Sequence, residues 1–350
     1  MENSYLLISG HSMRLLFIYI YDRILIMENL KLVIQIPCYN EEEMLPQTLK
    51  DLPKSIDGIS EIEVLVINDG STDNTVNVAK QNGVRHIVNL KRKRGLAVVF
   101  ASGIDAALNL GADIIVNTDA DNQYKGEDIK RLVRPILEKR ADIVIGNRKI
   151  EEIKDFSPVK KKLQRFGSRI VKYLSGLDIP DATTGFRAYS REAAIKLNVI
   201  SEFTYTLETI IAAGNKGIAV ENIEVITNPE FRKSRLFKSI PEYITRSIAT
   251  LVRIYTMYRP LKVFTRLGAL LFSIGFLVGL RYLYFFVINK NPAGHVQSLL
   301  LSAVLLLLGF QVFLLGMLSD LIASNRRLME ETLNKIKKIE LNALDDKNKS

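Results

Sequence analysis

The stretch Ile114-Ile115-Val116-Asn117-Thr118-Asp119-Ala120-Asp121-Asn122-Gln123 joins a short apolar run to a cluster of oxygen-bearing side chains. Three consecutive branched residues bounded by polar ones read as a strand buried on both faces. Asp119 and Asp121 stand two apart, with Gln123 two further on, so an extended chain sends all three to one side. Three oxygen ligands converging at a strand exit suit a hard divalent cation that keeps positions open for phosphate oxygens. A plain polar turn uses the same residue types, so the surrounding chain has to decide.

Outward from this stretch the pattern alternates. Leu32–Ile36, Val64–Ile67 and Ile143–Ile145 are further short apolar runs, and helical patterns over Glu42–Leu52, Thr75–Asn82, Leu96–Leu110 and Glu127–Lys139 separate them. Ser71-Thr72-Asp73 supplies capping residues for the second helix. Alternating βα units predict an α/β domain with a Rossmann-like, mainly parallel sheet whose ligands sit at the carboxyl ends of the strands. Three polar clusters fall at such ends: Pro37–Glu42, Asn68–Asp73 and Asp119–Gln123.

The formal net charge of +10 points to an acidic partner. Much of the excess lies between Lys149 and Arg259, just before two long apolar segments, which favours a membrane surface. No Lys/Arg-plus-aromatic pattern of a nucleic-acid-binding sheet is present. The single cysteine, Cys38, excludes an internal disulfide and fits a reducing compartment. Residues 1–28 read as an N-terminal extension, because Leu15–Ile26 is short and broken by Asp22-Arg23.

Leu267–Ile288 and Ser298–Leu318 each reach roughly 30 Å as a helix, enough to cross a bilayer. Arg281 inside the first costs about 2.5–3.5 kcal/mol at mid-membrane, less if it snorkels. A buried soluble hairpin is the alternative. Arg259, Lys262 and Arg266 precede the pair and Arg326, Arg327 and Lys335 follow it, while Asn289–Val296 carries one lysine. The positive-inside rule therefore predicts a hairpin with both flanks in the cytoplasm. Upstream, Phe237, Ile240, Ile244, Ile248, Leu251, Tyr255 and Tyr258 recur every three or four residues among basic positions. This predicts an interfacial amphipathic helix broken near Pro241. The expected divisions are a catalytic domain over 29–232, juxtamembrane helices over 233–262, a transmembrane hairpin over 263–320, and a helical tail over 321–350.

Taken together, Pro37-Cys38-Tyr39-Asn40-Glu41-Glu42, Asn68-Asp69-Gly70-Ser71-Thr72-Asp73, Asp119-Ala120-Asp121-Asn122-Gln123, Gly146-Asn147-Arg148, Asp181-Ala182-Thr183-Thr184-Gly185-Phe186-Arg187 and Arg232-Lys233-Ser234-Arg235 carry a family likeness. In order and spacing the chain resembles the family 2 glycosyltransferases of GT-A fold, in particular the dolichyl- and polyprenyl-phosphate sugar synthases, over about Leu30 to Leu318. The resemblance implies that Pro37, Tyr39, Asn40, Glu41, Asp69, Arg94 and Ala120 line a nucleotide-sugar site. It implies that Asp119, Asp121 and Gln123 hold Mg2+ or Mn2+ against the donor diphosphate.

On the acceptor side, Arg148, Lys161, Arg165, Arg232, Ser234 and Arg235 would receive a lipid phosphate, with Asp121, Arg148 and Arg232 catalytic. Asp181, Thr184 and Glu208 would lie at or behind the sugar. Lys161 stands where family members often have arginine, and Asn68 where aspartate is common. A phosphate monoester with a second pKa near 6 is already an anionic nucleophile at neutral pH, so placement and charge compensation replace deprotonation. The implied reaction is inverting transfer of one mannose or glucose from a GDP- or UDP-sugar to dolichyl or polyprenyl phosphate at the cytoplasmic membrane face. Membrane lipids are the expected surroundings, a homo-oligomer the expected assembly, and no nucleic acid is expected to bind.

Two other readings stay open: a transferase acting on the hydroxyl of a lipid-linked glycan, with Glu208 as base, and a non-catalytic nucleotide-sugar-binding membrane protein. A processive polysaccharide synthase is excluded, because the chain has no tryptophan for its acceptor motif and only one hairpin.

Overall fold

The structure, a computed structural model, describes residues 30–148, 158–199, 205–228, 240–288 and 296–349. The expectations for residues 1–28 and for Arg232, Ser234 and Arg235 fall outside the described residues, as does the side chain of Lys161.

Seven strands form one sheet: β1 (Lys31–Cys38), β2 (Glu61–Asn68), β3 (His86–Asn89), β4 (Ile114–Asn117), β5 (Ile143–Asn147), β6 (Arg187–Ser190) and β7 (Val220–Glu224). Their order is β3-β2-β1-β4-β6-β5-β7. All neighbouring pairs are parallel except those of β6, which runs antiparallel between β4 and β5. The domain therefore has the expected Rossmann-like, mainly parallel architecture.

Alternation along the strands divides the core in two. Val33, Leu65, Ile67, Ile115 and Tyr189 face one side, under α3 (Leu96–Asn109), α6 (Arg191–Lys196) and α7 (Tyr205–Lys216). Leu32, Ile34, Ile36, Val66 and Val116 face the other, under α1 (Leu45–Asp51), α2 (Thr75–Gln81) and α4 (Asp128–Leu137). Burial on both faces is why these strands read as unbroken apolar runs. α5 (Pro158–Ser175) packs beside α7.

Three long helices follow: α8 (Ile240–Tyr258), α9 (Pro260–Ile288) and α10 (Val296–Lys349). Pro241 sits in the first turn of α8, where its missing N–H has no partner to lose; the residues before Ile240 that the break expected near Pro241 would involve fall outside the described residues. A further break falls at Arg259, and Pro260 opens α9. The apolar windows of α9 and α10 are long enough to cross a membrane, and only 6% and 17% of them are buried. Their side chains face outward, which disfavours a soluble core hairpin.

Small residues at heptad spacing hold the two helices together. A Cβ on Gly268 would lie 2.9 Å from the Gly309 carbonyl oxygen, and one on Gly316 would lie 2.8 Å from Phe264 Cβ. Ser302 Oγ donates to the Gly275 carbonyl at 2.7 Å. Close backbone approach replaces the hydrophobic driving force that lipid does not supply. Gly309→Val is therefore expected to lower hairpin stability by about 1–3 kcal/mol. Thermal unfolding in detergent measures this, and an unchanged midpoint would count against the close packing.

α10 runs unbroken from Val296 to Lys349 over 54 residues, roughly 80 Å, so the second hairpin segment and the helical tail expected after residue 320 form one continuous helix. Its second half lies along the domain. Lys216 pairs with Glu330 at 2.9 Å, Lys337 with Asp105 at 3.0 Å, and Leu341 is buried in the domain core.

Candidate active site

The carboxyl ends of β1, β2 and β4 meet at one edge of the sheet. β4 ends at Asn117, whose fully buried amide accepts from Gln35 Nε2 at 2.9 Å. It donates to the Gly185 carbonyl at 2.8 Å and to the Tyr205 hydroxyl oxygen at 3.0 Å. This network fixes the Thr184-Gly185 turn directly beneath Asp119. A Cβ at Gly185 would stand 3.0 Å from an Asp119 carboxylate oxygen and 2.9 Å from the Tyr205 hydroxyl. Only glycine fits there without displacing one of them.

The extended path does not continue to Gln123. The chain turns at Ala120-Asp121, and Asn122 adopts a left-handed conformation with φ of 53°. The physical reason is an Asx-type turn, in which Asp121 Oδ1 accepts the Gln123 N–H at 3.1 Å. Thr48 Oγ1 donates to the Ala120 carbonyl at 2.9 Å and anchors the turn to α1. From the other side Asn228 donates to Gln123 O at 2.8 Å and to Asn122 O at 2.9 Å. Asn228, the last described residue before Ile240, is thus bonded to the Asp121 turn.

Burial, and next the charge of Asp121, push the Asp119 carboxyl up to about 7, while Arg148 and Arg187 pull the other way. Part of Asp119 nevertheless stays open to solvent, as a ligand-facing carboxylate must. Among the described residues no three His, Cys, Asp or Glu side chains form a closed metal cage. The pair fits Mg2+ or Mn2+ in the open manner such ions require, with two hard oxygen ligands and the remaining positions left for a diphosphate.

The folded pKa of Asp119 lies above its unfolded value near 4, so without metal its contribution to stability falls as pH rises from about 4 to about 7. A cation needs the ionised form. Metal affinity is expected to drop as pH falls below about 7, approaching about tenfold per unit. Titration calorimetry in buffers of different ionisation heat would register the released proton; pH-independent affinity would contradict the assignment.

Arg148 is locked from behind. Its Nε donates to Asp181 Oδ2 at 2.7 Å, and its Nη2 donates to Asp181 Oδ1 at 3.1 Å and to Thr183 Oγ1 at 2.9 Å. Burial works to raise Asp181, but the Arg148 charge and hydrogen bonds outweigh it and hold the carboxyl below its ordinary range. Asp181 is fully buried and positions Arg148. Thr184 is also fully buried, with its Oγ1 3.3 Å from the Tyr124 hydroxyl. Both act from behind the site.

Pro37, Tyr39, Asn40 and Glu41 lie at the β1 exit, stitched to the β2 exit. The Asn40 N–H donates to Ser71 Oγ at 2.9 Å, the Thr72 N–H to Asn40 Oδ1 at 2.9 Å, and the Glu41 N–H to Thr75 Oγ1 at 2.8 Å. Asp69 accepts the N–H groups of Arg94 (2.6 Å) and Gly95 (3.0 Å), so its carboxylate shapes the basic loop. Gly70 admits that loop: with φ of 67°, a Cβ there would lie 2.7 Å from Arg92 backbone. Lys93 Nζ sits 3.7 Å over the Tyr39 ring, and the Arg94 side chain is exposed.

Arg165 is exposed on α5. Glu208 is 2% exposed on α7, and its charge bears on Tyr258 at the end of α8. Asn117, Tyr205, Tyr124 and Arg187 complete the supporting shell; the sequence reading assigned them no role, since nothing local marks a buried polar partner.

Residues 33–197 match glycosyl transferase family 2, and residues 259–324 match the GtrB C-terminal hairpin. A protein of Methanocaldococcus jannaschii whose own role is uncharacterised is 35% identical over 206 residues, covering 56% of this chain and 81% of that one. The undecaprenyl-phosphate mannosyltransferase of Micrococcus luteus is 33% identical over 178 residues, covering 49% of this chain and 71% of that one. Among solved structures, glucosyl-3-phosphoglycerate synthase from Mycobacterium tuberculosis, in complex with Mn2+, uridine diphosphate and phosphoglyceric acid, shares the fold. Its TM-score is 0.51 at 18% identity, over 64% of this chain and 78% of that one. The chain belongs to the family 2 glycosyl transferases and is a glycosyltransferase.

Proposed function

We propose that this enzyme transfers one hexose, of the mannose or glucose class, from a GDP- or UDP-sugar to polyprenyl or dolichyl phosphate, with inversion, at the cytoplasmic membrane face. One observation carries the reading: Asp119 and Asp121 share a turn whose bonded neighbour, Asn228, leads into the Arg232–Arg235 segment. Donor diphosphate and acceptor phosphate would then meet at one edge of the sheet. The Micrococcus relative, named for an undecaprenyl-phosphate acceptor, agrees with this, as does the fold neighbour's complex with Mn2+ and uridine diphosphate.

Asp119 and Asp121 would hold Mg2+ or Mn2+, which when bound supplies positive charge at the departing diphosphate. The chain's own residues do the rest. Pro37, Tyr39, Asn40, Glu41, Asp69, Ala120 and the Arg94 loop enclose the nucleotide. Arg148, oriented by Asp181, faces the charge that develops between the phosphates. Lys161, Arg165, Arg232, Ser234 and Arg235 receive the acceptor, with arginine forks matched to phosphate oxygens. The ionised phosphate oxygen attacks the anomeric carbon opposite the leaving diphosphate, so no side chain has to remove a proton. The burial of Glu208 weighs against the alternative hydroxyl acceptor, which would need an accessible base.

A labelled-sugar assay on membranes, with several nucleotide donors and added polyprenyl phosphate, tests the reaction. In the same assay Arg232→Ala is expected to weaken use of lipid phosphate about tenfold or more, by loss of a charge-assisted pair, while donor binding stays within about twofold. Equal loss of both would overturn the acceptor role.

A further inference from the structure

Where the hairpin meets the domain there is a cavity of about 460 Å3. Lys216 at the end of α7, Arg259 and Lys262 at the α8–α9 corner, and Arg327 on α10 line it, together with Asp320 and Glu330. Four cations thus face two carboxylates. Glu330 already pairs with Lys216 at 2.9 Å and with Arg326 at 3.5 Å. Among the described residues neither Arg259 nor Lys262 has a carboxylate within ion-pair distance, and Arg327 Nη2 reaches only the Tyr258 carbonyl, at 3.4 Å.

The depth of this cavity is set by the hairpin. Phe264 packs against Gly316, so Lys262 lies within one turn of the apolar zone. Arg327 stands nine residues past Leu318, roughly 13 Å along the helix. That interval spans the headgroup layer, which adds roughly 5–8 Å outside each side of the hydrocarbon. The cavity also lies apart from the transfer site. α7 runs from Tyr205, whose hydroxyl touches the Asn117 amide, to Lys216, next to the amino end of β7. Its 12 residues separate the two by roughly 18 Å. A phosphate held here could not reach the donor.

We propose that this cavity binds the phosphodiester headgroup of an anionic phospholipid as a resident ligand, clamping α7, the α8–α9 corner and α10 together. The proposal rests on the membrane placement of the hairpin, and on no step of the transfer reaction. The probe is phosphatidylglycerol, titrated into the full chain in phosphatidylcholine nanodiscs, read by thermal midpoint and by lipid retained in native mass spectrometry. Phosphatidylglycerol is expected to raise the midpoint and to be retained. Arg259→Gln with Lys262→Gln should weaken retention about tenfold or more, at about 1 kcal/mol for each cation near the surface. Lys335→Gln with Lys338→Gln, an equal charge loss on the exposed part of α10, should leave it unchanged. Equal weakening by both pairs would reduce the effect to general surface charge and overturn the site. Retention of polyprenyl phosphate in preference to phosphatidylglycerol would overturn the phospholipid assignment. A chain that fails to enter nanodiscs would overturn the membrane placement and the proposal together, whereas sugar transfer is measured separately.

Discussion

Asp121→Ala should abolish sugar transfer, by roughly a thousandfold or more, while leaving the fold intact. The magnitude is that of removing a preorganised charge-stabilising group from a reacting centre. The fold should survive because, among the described residues, the Asp121 carboxylate holds one backbone N–H, that of Gln123, and the turn keeps its anchors from Thr48 and Asn228. A second consequence separates this residue from a merely structural one. After burial, the Asp121 charge is the largest influence raising Asp119. Removing it relieves the repulsion, so metal-free Asp121→Ala should unfold at or above the wild-type temperature near neutral pH. Wild-type protein is expected to gain stability from added Mn2+ by mass action, and the variant little. Normal turnover, or full metal-induced stabilisation, would remove Asp121 from the metal pair.

The strands buried on both faces were legible because burial leaves short apolar runs, and the polar clusters and helical patterns between them told these from helix segments. β3, β6 and β7 were not. His86–Asn89 and Val220–Glu224 lie toward the sheet margins and keep polar residues, while β6 begins with a buried arginine that no periodicity marks as interior. The polar clusters at strand exits were readable as one site because parallel topology sends every exit to the same edge. What lay beyond reach was the division of labour among them. Asp69 and Asn40 look like ligand-facing groups in sequence, yet their side chains hold neighbouring loops. The left-handed turn at Asn122 also defeats an alternation rule that is valid only while the chain stays extended. Likewise, hydropathy ends at Leu318, but α10 does not, because the domain surface takes over from the apolar zone as its support.

Arg187→Met should be the most destabilising substitution in the supporting shell, by about 3–5 kcal/mol, the range for breaking a buried charged network. The Arg187 side chain is fully buried at the start of β6, between Asn117 of β4 and Ile145 of β5. It donates to the Thr184 carbonyl at 2.9 Å, the Thr206 carbonyl at 2.9 Å, Thr209 Oγ1 at 2.8 Å and the Ala182 carbonyl at 3.0 Å. Methionine fills similar volume but leaves three buried carbonyls without that donor, and each such loss costs about 1–3 kcal/mol before relaxation. Thr209 suffers less, since its hydroxyl also donates to the Tyr205 carbonyl at 2.8 Å. Against a typical total of about 5–15 kcal/mol, this should lower the thermal midpoint by many degrees and reduce the folded yield. Arg187→Lys keeps the charge with fewer directed donors and should fall between. The effect should reach the chemistry too, because the Arg187 charge, with that of Arg148, restrains Asp119. In whatever fraction folds, the acid limb of metal binding should move to higher pH. A variant that unfolds within about 1 kcal/mol of wild type, with an unshifted acid limb, would mean the turn beneath Asp119 is held by Asn117 and Tyr205 alone.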